Sequence, residues 1–260
     1  MKQAKMLAMA GAVAFTPIAA TSAQAAWLIG LVDGKSIVTI DPATRKVTGS
    51  ADIKGAAMLV GIDVRPADGM VYGVASDGAI VTIDVKTGQA TPKSKMSEML
   101  KSGVTATIDF NPVPDRLRVM GSDGTSLRVN VDDGKAIVDG SHKFKDGDAA
   151  AGKTPRVVAG SYTNSMKGAK TTTLYNIDAG TGALLTQAPP NEGVLNTVGP
   201  LGVTVSGPVA FNVVAEGEAN KAWLVTGGAL YSVDLTSGKA TMAGKIEGLK
   251  GTLTDIAWID

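Results

Sequence analysis

The chain contains no cysteine and a single histidine, and only 4% of its residues are aromatic. Without cysteine there are no disulfides, no thiol nucleophile and no thiolate-bound metal, so stability must come from packing and strand pairing. With one histidine, Ser-His-Asp chemistry is poorly served. His142 sits in the polar stretch from Asp139 to Lys153 with no orienting partner nearby in sequence, and reads as an exposed loop residue. Trp27, Trp223 and Trp258 are too scattered to form a stacking platform for sugars or single-stranded nucleic acid. Charge of one sign is missing as well. Lys and Arg number 25 against 24 Asp and Glu, dispersed along the chain, which argues against nucleic acid or anionic lipid as a partner. No HExxH, Walker loop, glycine-rich dinucleotide loop or twelve-residue calcium loop occurs.

Long apolar runs are absent too, apart from one at the start. Lys2 and Lys5 precede the Ala-rich run from Met6 to Ala20, and Ala23-Gln24-Ala25 has the small-x-small form of a cleavage site. The run is shorter than the roughly 20 residues a membrane span needs. Residues 1–25 therefore read as a secretory signal and residues 26–260 as one domain, periplasmic or secreted, with no transmembrane segment after signal removal.

What the chain does have is glycine, 32 residues of it, and a repeated phrase. From Thr107 to Gly134, short runs alternating Leu or Val with Arg, Ser or Asn are separated by Pro, Asp-Gly and Gly, the pattern of half-buried strands joined by tight turns. A strand ending in Ile/Val-Asp before a Thr-Gly or Ser-Gly turn recurs at Ile40-Asp41, Ile83-Asp84, Val129-Asn130, Ile177-Asp178 and Val233-Asp234. Spacings of about 43 to 56 residues match a four-stranded propeller blade. An aspartate here holds its turn by accepting from backbone two residues on, so these aspartates read as structural before they read as metal ligands.

The first unit lacks an opening strand, and Thr252 to Asp260 resembles one with no partner nearby in sequence. The expected fold is all-β: a propeller of five four-stranded blades in which the C-terminal strand completes the N-terminal blade and removes an exposed edge. The fourth unit has a loose interior, and Gln187 to Gly207 reads as a long decorated connection.

Gly61 to Val74, Thr107 to Gly134, Leu174 to Leu184, Asn196 to Val203 and Leu230 to Thr241 resemble a bacterial family of exported propeller-like proteins, domain of unknown function family 4394. Asp-Phe-Asn-Pro followed by Asp-Arg-Leu-Arg is the most specific part. The resemblance implies secretion and the repeat fold, and it implies no activity.

One polar constellation stands out. Aligning the opening strands puts Asp63, Asp109 and Asp255 at one register, with Arg65, Asn111, Ser161 and Asn212 two residues later on the same face. Opening strands of a propeller line the axis, so Asp63, Arg65, Asp109, Asn111, Asn212 and Asp255 form the candidate ligand site. Asp63, Asp109 and Asp255 are the metal candidates, since oxygens of this kind can hold Ca²⁺ or Mg²⁺. The alternative is architecture: the aspartates bond neighbouring blades' backbone, with Arg65 and Arg116 as salt-bridge partners. No catalytic set and no other cofactor is evident. The reading that follows is a monomeric, non-enzymatic binding or interaction module for a small ligand or an envelope protein. The runners-up are a metal-assisted hydrolase or lactonase-like enzyme working on the axis, and a structural envelope component.

Overall fold

The computed structural model describes residues 27–217 and 219–259, so the expected signal segment lies outside the described residues. Blade one holds β1 (Trp27–Val32), β2 (Ser36–Asp41) and β3 (Lys46–Asp52). Blade two is β4 (Leu59–Val64), β5 (Val71–Ala75), β6 (Ala79–Ile83) and β7 (Ala90–Lys95). Blade three is β8 (Ala106–Asn111), β9 (Arg116–Gly121), β10 (Ser126–Val129) and β11 (Ala136–Val138), followed by the short β12 (Lys143–Phe144). Blade four is β13 (Val157–Tyr162), β14 (Leu174–Asp178), β15 (Ala183–Gln187) and β16 (Val194–Pro200). Blade five is β17 (Val209–Glu216), β18 (Ala219–Thr226), β19 (Ala229–Val233) and β20 (Ala240–Lys245), and β21 (Leu253–Ile259) ends the chain.

β21 pairs antiparallel with β1, from Trp27 opposite Ile259 to Val32 opposite Leu253, and supplies the innermost strand that blade one lacks. The innermost strands β21, β4, β8, β13 and β17 touch in that order, and β17 touches β21, closing a ring of five blades. The expected architecture and its closure by the C-terminal strand are therefore present. Sequence pattern follows position in the blade. β5 is buried along its whole length because blades pack on both its faces, whereas the outer β3 alternates exposed and half-buried residues.

Blade four departs from the expected layout. Gln187 to Gly207 is more than a connection, since it contains β16, which pairs with β15 as the blade's fourth strand. Ile177-Asp178 ends the second strand of its blade rather than the third, so its place in the repeat was misassigned. The segment after β11 is also built in rather than loose. β12 adds a fifth strand to this sheet, parallel to β16, and His142 N–H donates to the Gly124 carbonyl at 3.0 Å.

The turn aspartates are structural, as read. Asp84 Oδ1 accepts from Lys86 N–H and Thr87 N–H at 2.9 Å each, and Asp234 Oδ1 accepts from Thr236 N–H at 2.8 Å and Ser237 N–H at 2.9 Å. Gly88 and Gly238 follow with φ of +72° and +80°, a region that costs glycine little and other residues much. Asp178 plays the same part from its different strand, accepting from Thr181 N–H at 2.7 Å.

Blades are joined by apolar clusters. Ile29, Ile62 and Val81 represent the one between blades one and two; Tyr72, Phe110 and Leu117 that between two and three; Ile177, Phe211 and Leu224 that between four and five; Leu28, Trp223 and Ile256 that between five and one. Between blades three and four the buried cluster shrinks to Met120, Tyr162 and Leu174.

Candidate functional site

The innermost strand of a blade has an edge facing the axis, where no further strand can pair with it. Its N–H groups are buried in a narrow channel and need acceptors. Side chains of the preceding blade supply them. Phe110 N–H donates to Asp63 Oδ2 at 2.6 Å, Tyr162 N–H to Asp109 Oδ1 at 2.8 Å, and Val213 N–H to Ser161 Oγ at 3.0 Å. A deeper layer repeats the device, with Gly160 N–H donating to Thr107 Oγ1 at 3.1 Å and Ile62 N–H to Asp255 Oδ2 at 3.0 Å.

These bonds revise the register read from sequence. Each upper-layer acceptor meets the N–H that follows the corresponding residue of the next blade, which puts Asp63, Asp109, Ser161 and Asn212 at one level. Asp255 meets the N–H that precedes Asp63, so it shares a level with Thr107, two residues deeper. The start of β21 gives no sign of this, since β4 and β13 carry the same register shift there; the level of Asp255 shows only in the N–H it meets.

All three aspartates are buried, Asp109 to 2% exposure, and burial is the main influence on their acidity. Desolvation raises Asp63 to about 7 against the pull of the Phe110 and Val64 N–H groups. Asp109 is raised well above the ordinary carboxylate range by burial and by the neighbouring Asp63 and Asp255, and Asp255 is raised by burial and Asp63. No arginine offsets them. Arg65 instead donates from Nε and Nη2 to the two Asp115 carboxylate oxygens at 2.9 and 2.6 Å, and its Nη atoms reach Asp68 and Asp132. Arg116 donates to the Pro114 and Asp115 carbonyls of its own turn. The expected salt-bridge partnership is thus absent: Arg65 lies just past the end of β4 and Arg116 opens β9, and both bond to turn residues there. Among the described residues no three His, Asp or Glu side chains are grouped to hold a metal ion. Asn111 caps its turn by accepting from Val113 N–H.

Asp63 and Asn212 do come together. Both line a cavity of about 300 Å³ where the inner strands end, with Trp258, Ser165 and Lys167. The loop that brings Ser165 and Lys167 there is pinned by a reciprocal amide pair: Asn164 N–H donates to Asn220 Oδ1 at 2.7 Å, and Asn220 Nδ2 to Asn164 Oδ1 at 2.8 Å. Sequence reading missed Ser165 and Lys167, because their loop reaches the axis only through a contact between blades four and five, and Trp258, because β21 was aligned two residues out of level.

A second polar assembly lies outside the axis. Arg118, 1% exposed, donates to Tyr162 Oη at 2.7 Å, Ser126 Oγ at 2.8 Å, Asp139 Oδ2 at 2.9 Å and Asn191 Oδ1 at 2.7 Å. Arg128 adds two bonds to the same Asp139 carboxylate. His142 lies nearby and, contrary to expectation, is buried to 7% exposure with neither ring nitrogen bonded; burial and the Arg118 charge lower its pKa to about 4. Its backbone bond to Gly124 has counterparts in Met96 to Gly78 and Ile246 to Gly228, so the imidazole fills a place that other blades give to an apolar side chain. The Asp-Arg-Leu-Arg motif thereby acquires a meaning: Asp115 ties blade three to Arg65 of blade two, and Arg118 ties it to blade four.

A family model described as a domain of unknown function, DUF4394, matches residues 36–257. No curated protein matches significantly. Among solved structures, a protein of unknown function from Bacteroides caccae is 14% identical with a TM-score of 0.43, covering 91% of this chain and 99% of its own. An auxiliary nutrient binding protein from Bacteroides ovatus is 14% identical with a TM-score of 0.47, covering 75% of this chain and 55% of its own. A structural genomics protein of unknown function from Bacteroides thetaiotaomicron is 15% identical with a TM-score of 0.49, covering 82% of this chain and 54% of its own. The chain thus spans about half the length of the last two.

Proposed function

The chain belongs to the DUF4394 family, a domain of unknown function, and on that premise we propose that it is a non-enzymatic binding module, exported to the periplasm, that takes a small polar solute at one mouth of the propeller axis. The observation that carries this reading is the cavity of about 300 Å³ shared by Asp63, Asn212, Ser165, Lys167 and Trp258. It combines an acceptor, an amide, a hydroxyl and an ammonium with one aromatic wall, which suits a ligand bearing both donors and acceptors. The axial carboxyls support binding over catalysis. Asp109 and Asp255 are sealed and committed to backbone N–H groups, and neither has a histidine or lysine partner to pass a proton to.

A thermal-shift screen of polyols, amino acids and small carboxylates against wild type, Asp63→Asn and Lys167→Ala tests the reading. A ligand that raises the wild-type melting temperature and loses its effect in both variants is the expected result. Stabilisation that survives both substitutions would move the site elsewhere. For export, fractionation with N-terminal sequencing is expected to give a mature chain starting at Ala26, and an intact Met1 in the periplasmic fraction would contradict it.

A further inference from the structure

The face opposite that mouth carries a cavity of different chemistry. Between blades two and three, a groove of about 460 Å³ is lined mainly by apolar side chains, among them Met58, Met96, Met99 and Leu100. Met58 and Met99 are 51% and 45% exposed, which is unusual for large apolar residues placed side by side in one concavity. Both hang on the turn that joins β5 to β6. The Met58 carbonyl accepts from Ser76 N–H at 2.8 Å, Met96 N–H donates to the Gly78 carbonyl at 2.9 Å, and the Met99 thioether lies over Gly78, where an added Cβ would come within 2.7 Å of its sulfur. The turn therefore holds the Met58 and Met96 backbones and lies against the Met99 side chain, and unbranched thioethers suit a groove of irregular shape.

Two further features define the occupant. The groove shares Met58, Val60 and Val104–Ala106 with a second cavity of about 510 Å³ that runs to the channel mouth, so the concavity is elongated. Lys101 is the one charged residue lining the apolar groove, while the second cavity adds Asp33 and Arg156; the Lys101 side chain is 84% exposed, with Asp123 at 3.9 Å. The geometry points to a second binding site, for an elongated apolar small molecule with an anionic head group such as a long-chain carboxylate. The chain would lie along Met58, Met96 and Met99 and the head against Lys101. This site is independent of the polar mouth, and each stands or falls without the other.

Titration of the purified protein with cis-parinarate, a fluorescent long-chain carboxylate, tests it, with dodecanoate and dodecanol as competitors. Saturable binding is expected, weakened at least about tenfold by Met99→Lys, several-fold by Lys101→Glu, and little by Met99→Leu, which keeps the apolar wall. Thermal melts of each variant show whether it is folded, and Met58→Glu gives a second probe of the same wall. Absence of saturable wild-type binding overturns the site, as does equal affinity in folded Met99→Lys and Met58→Glu. Competition by dodecanol as strong as that by dodecanoate, or an unchanged affinity in Lys101→Glu, overturns the anionic head.

Discussion

The junction between blades two and three and the junction between blades three and four are filled with opposite chemistry. The first is hydrocarbon: Tyr72 and Phe110 meet edge to face with ring centres 5.3 Å apart, among Ile80, Leu117 and Val129. The second keeps only Met120, Tyr162 and Leu174 as its apolar cluster and is filled by Arg118, Asp139, Ser126 and Asn191. Hydrocarbon gains by leaving water and needs no particular partner. A buried guanidinium loses by leaving water and must have its donors met, which Arg118 achieves with four acceptors. The axis shows a third solution. There the carboxyls have N–H donors but no cation, and burial holds them protonated to higher pH instead.

The comparison presupposes a closed ring, and opening the ring has the largest expected effect. Deleting residues 252–260 removes β21, with Leu253 and Ile256 at 3% and 1% exposure, and strips the acceptor of Asp255 from Ile62 N–H. Each large buried side chain contributes roughly 1.5 to 3 kcal/mol, and a domain has about 5 to 15 to spare. Loss of the cooperative melt is expected in circular dichroism, and a truncated protein that melts like the full chain would refute closure.

Next comes the polar junction. Arg118→Met leaves Tyr162, Ser126 and Asn191 without their buried donor and Asp139 with Arg128 alone, and is expected to cost about 2 to 3 kcal/mol in urea unfolding. Adding Asp139→Leu is expected to recover a good part of that, because Arg128, 30% exposed, can turn to water. A double variant as unstable as the single one would show that Arg118 matters through its bulk rather than its charge.

These two regions also show what was legible beforehand. Strand and turn signals are local, so the repeat, the turn aspartates and the closing strand were readable from residues adjacent in sequence. The Arg118 assembly draws on positions from Ser126 to Asn191, and no local pattern announces that an arginine in a strand will be sealed. The same limit explains His142, whose polar neighbours suggested a loop although a single backbone bond to Gly124 puts it in an apolar place. At the axis, the recurrence of Asp63 and Asp109 was visible, but the level of Asp255 is set by the N–H it meets in the neighbouring blade, which its own strand does not announce.

A smaller effect follows from the axial carboxyls. Asp63 has its folded pKa raised from an unfolded value near 4 to about 7. The native state therefore holds a proton that the unfolded chain releases, and the stability it contributes is full below about pH 4 and is lost as pH rises through 7. His142 has the opposite sign. Its pKa is lowered from 6.5 to about 4, so its contribution is full above 6.5 and is lost as pH falls toward 4. Above pH 6.5 the His142 contribution is complete, and the melting temperature is expected to fall between pH 6.5 and 8 in wild type and to fall less in Asp63→Asn, which keeps an acceptor for Phe110 N–H. An equal slope in both proteins would remove Asp63 as the cause.

The smallest effect belongs to the imidazole. His142→Ile restores the residue that Ile246 provides in blade five, and is expected to be neutral or stabilising by about 1 kcal/mol at pH 7. The variant should also lose the acid-side decline between pH 6.5 and 4. Destabilisation at neutral pH would mean that the ring nitrogens make bonds of their own.

The most direct test of the axial account is a carbon-13 titration of the aspartate carboxyl groups from pH 4 to 9, with and without millimolar Ca²⁺. Carboxyls held by burial and backbone donors alone should give a midpoint for Asp63 near 7, midpoints for Asp109 and Asp255 raised well above the ordinary carboxylate range, and curves that Ca²⁺ leaves in place. Midpoints near 4 for all three, or curves that Ca²⁺ displaces to lower pH, would contradict it and return the axis to the cation reading.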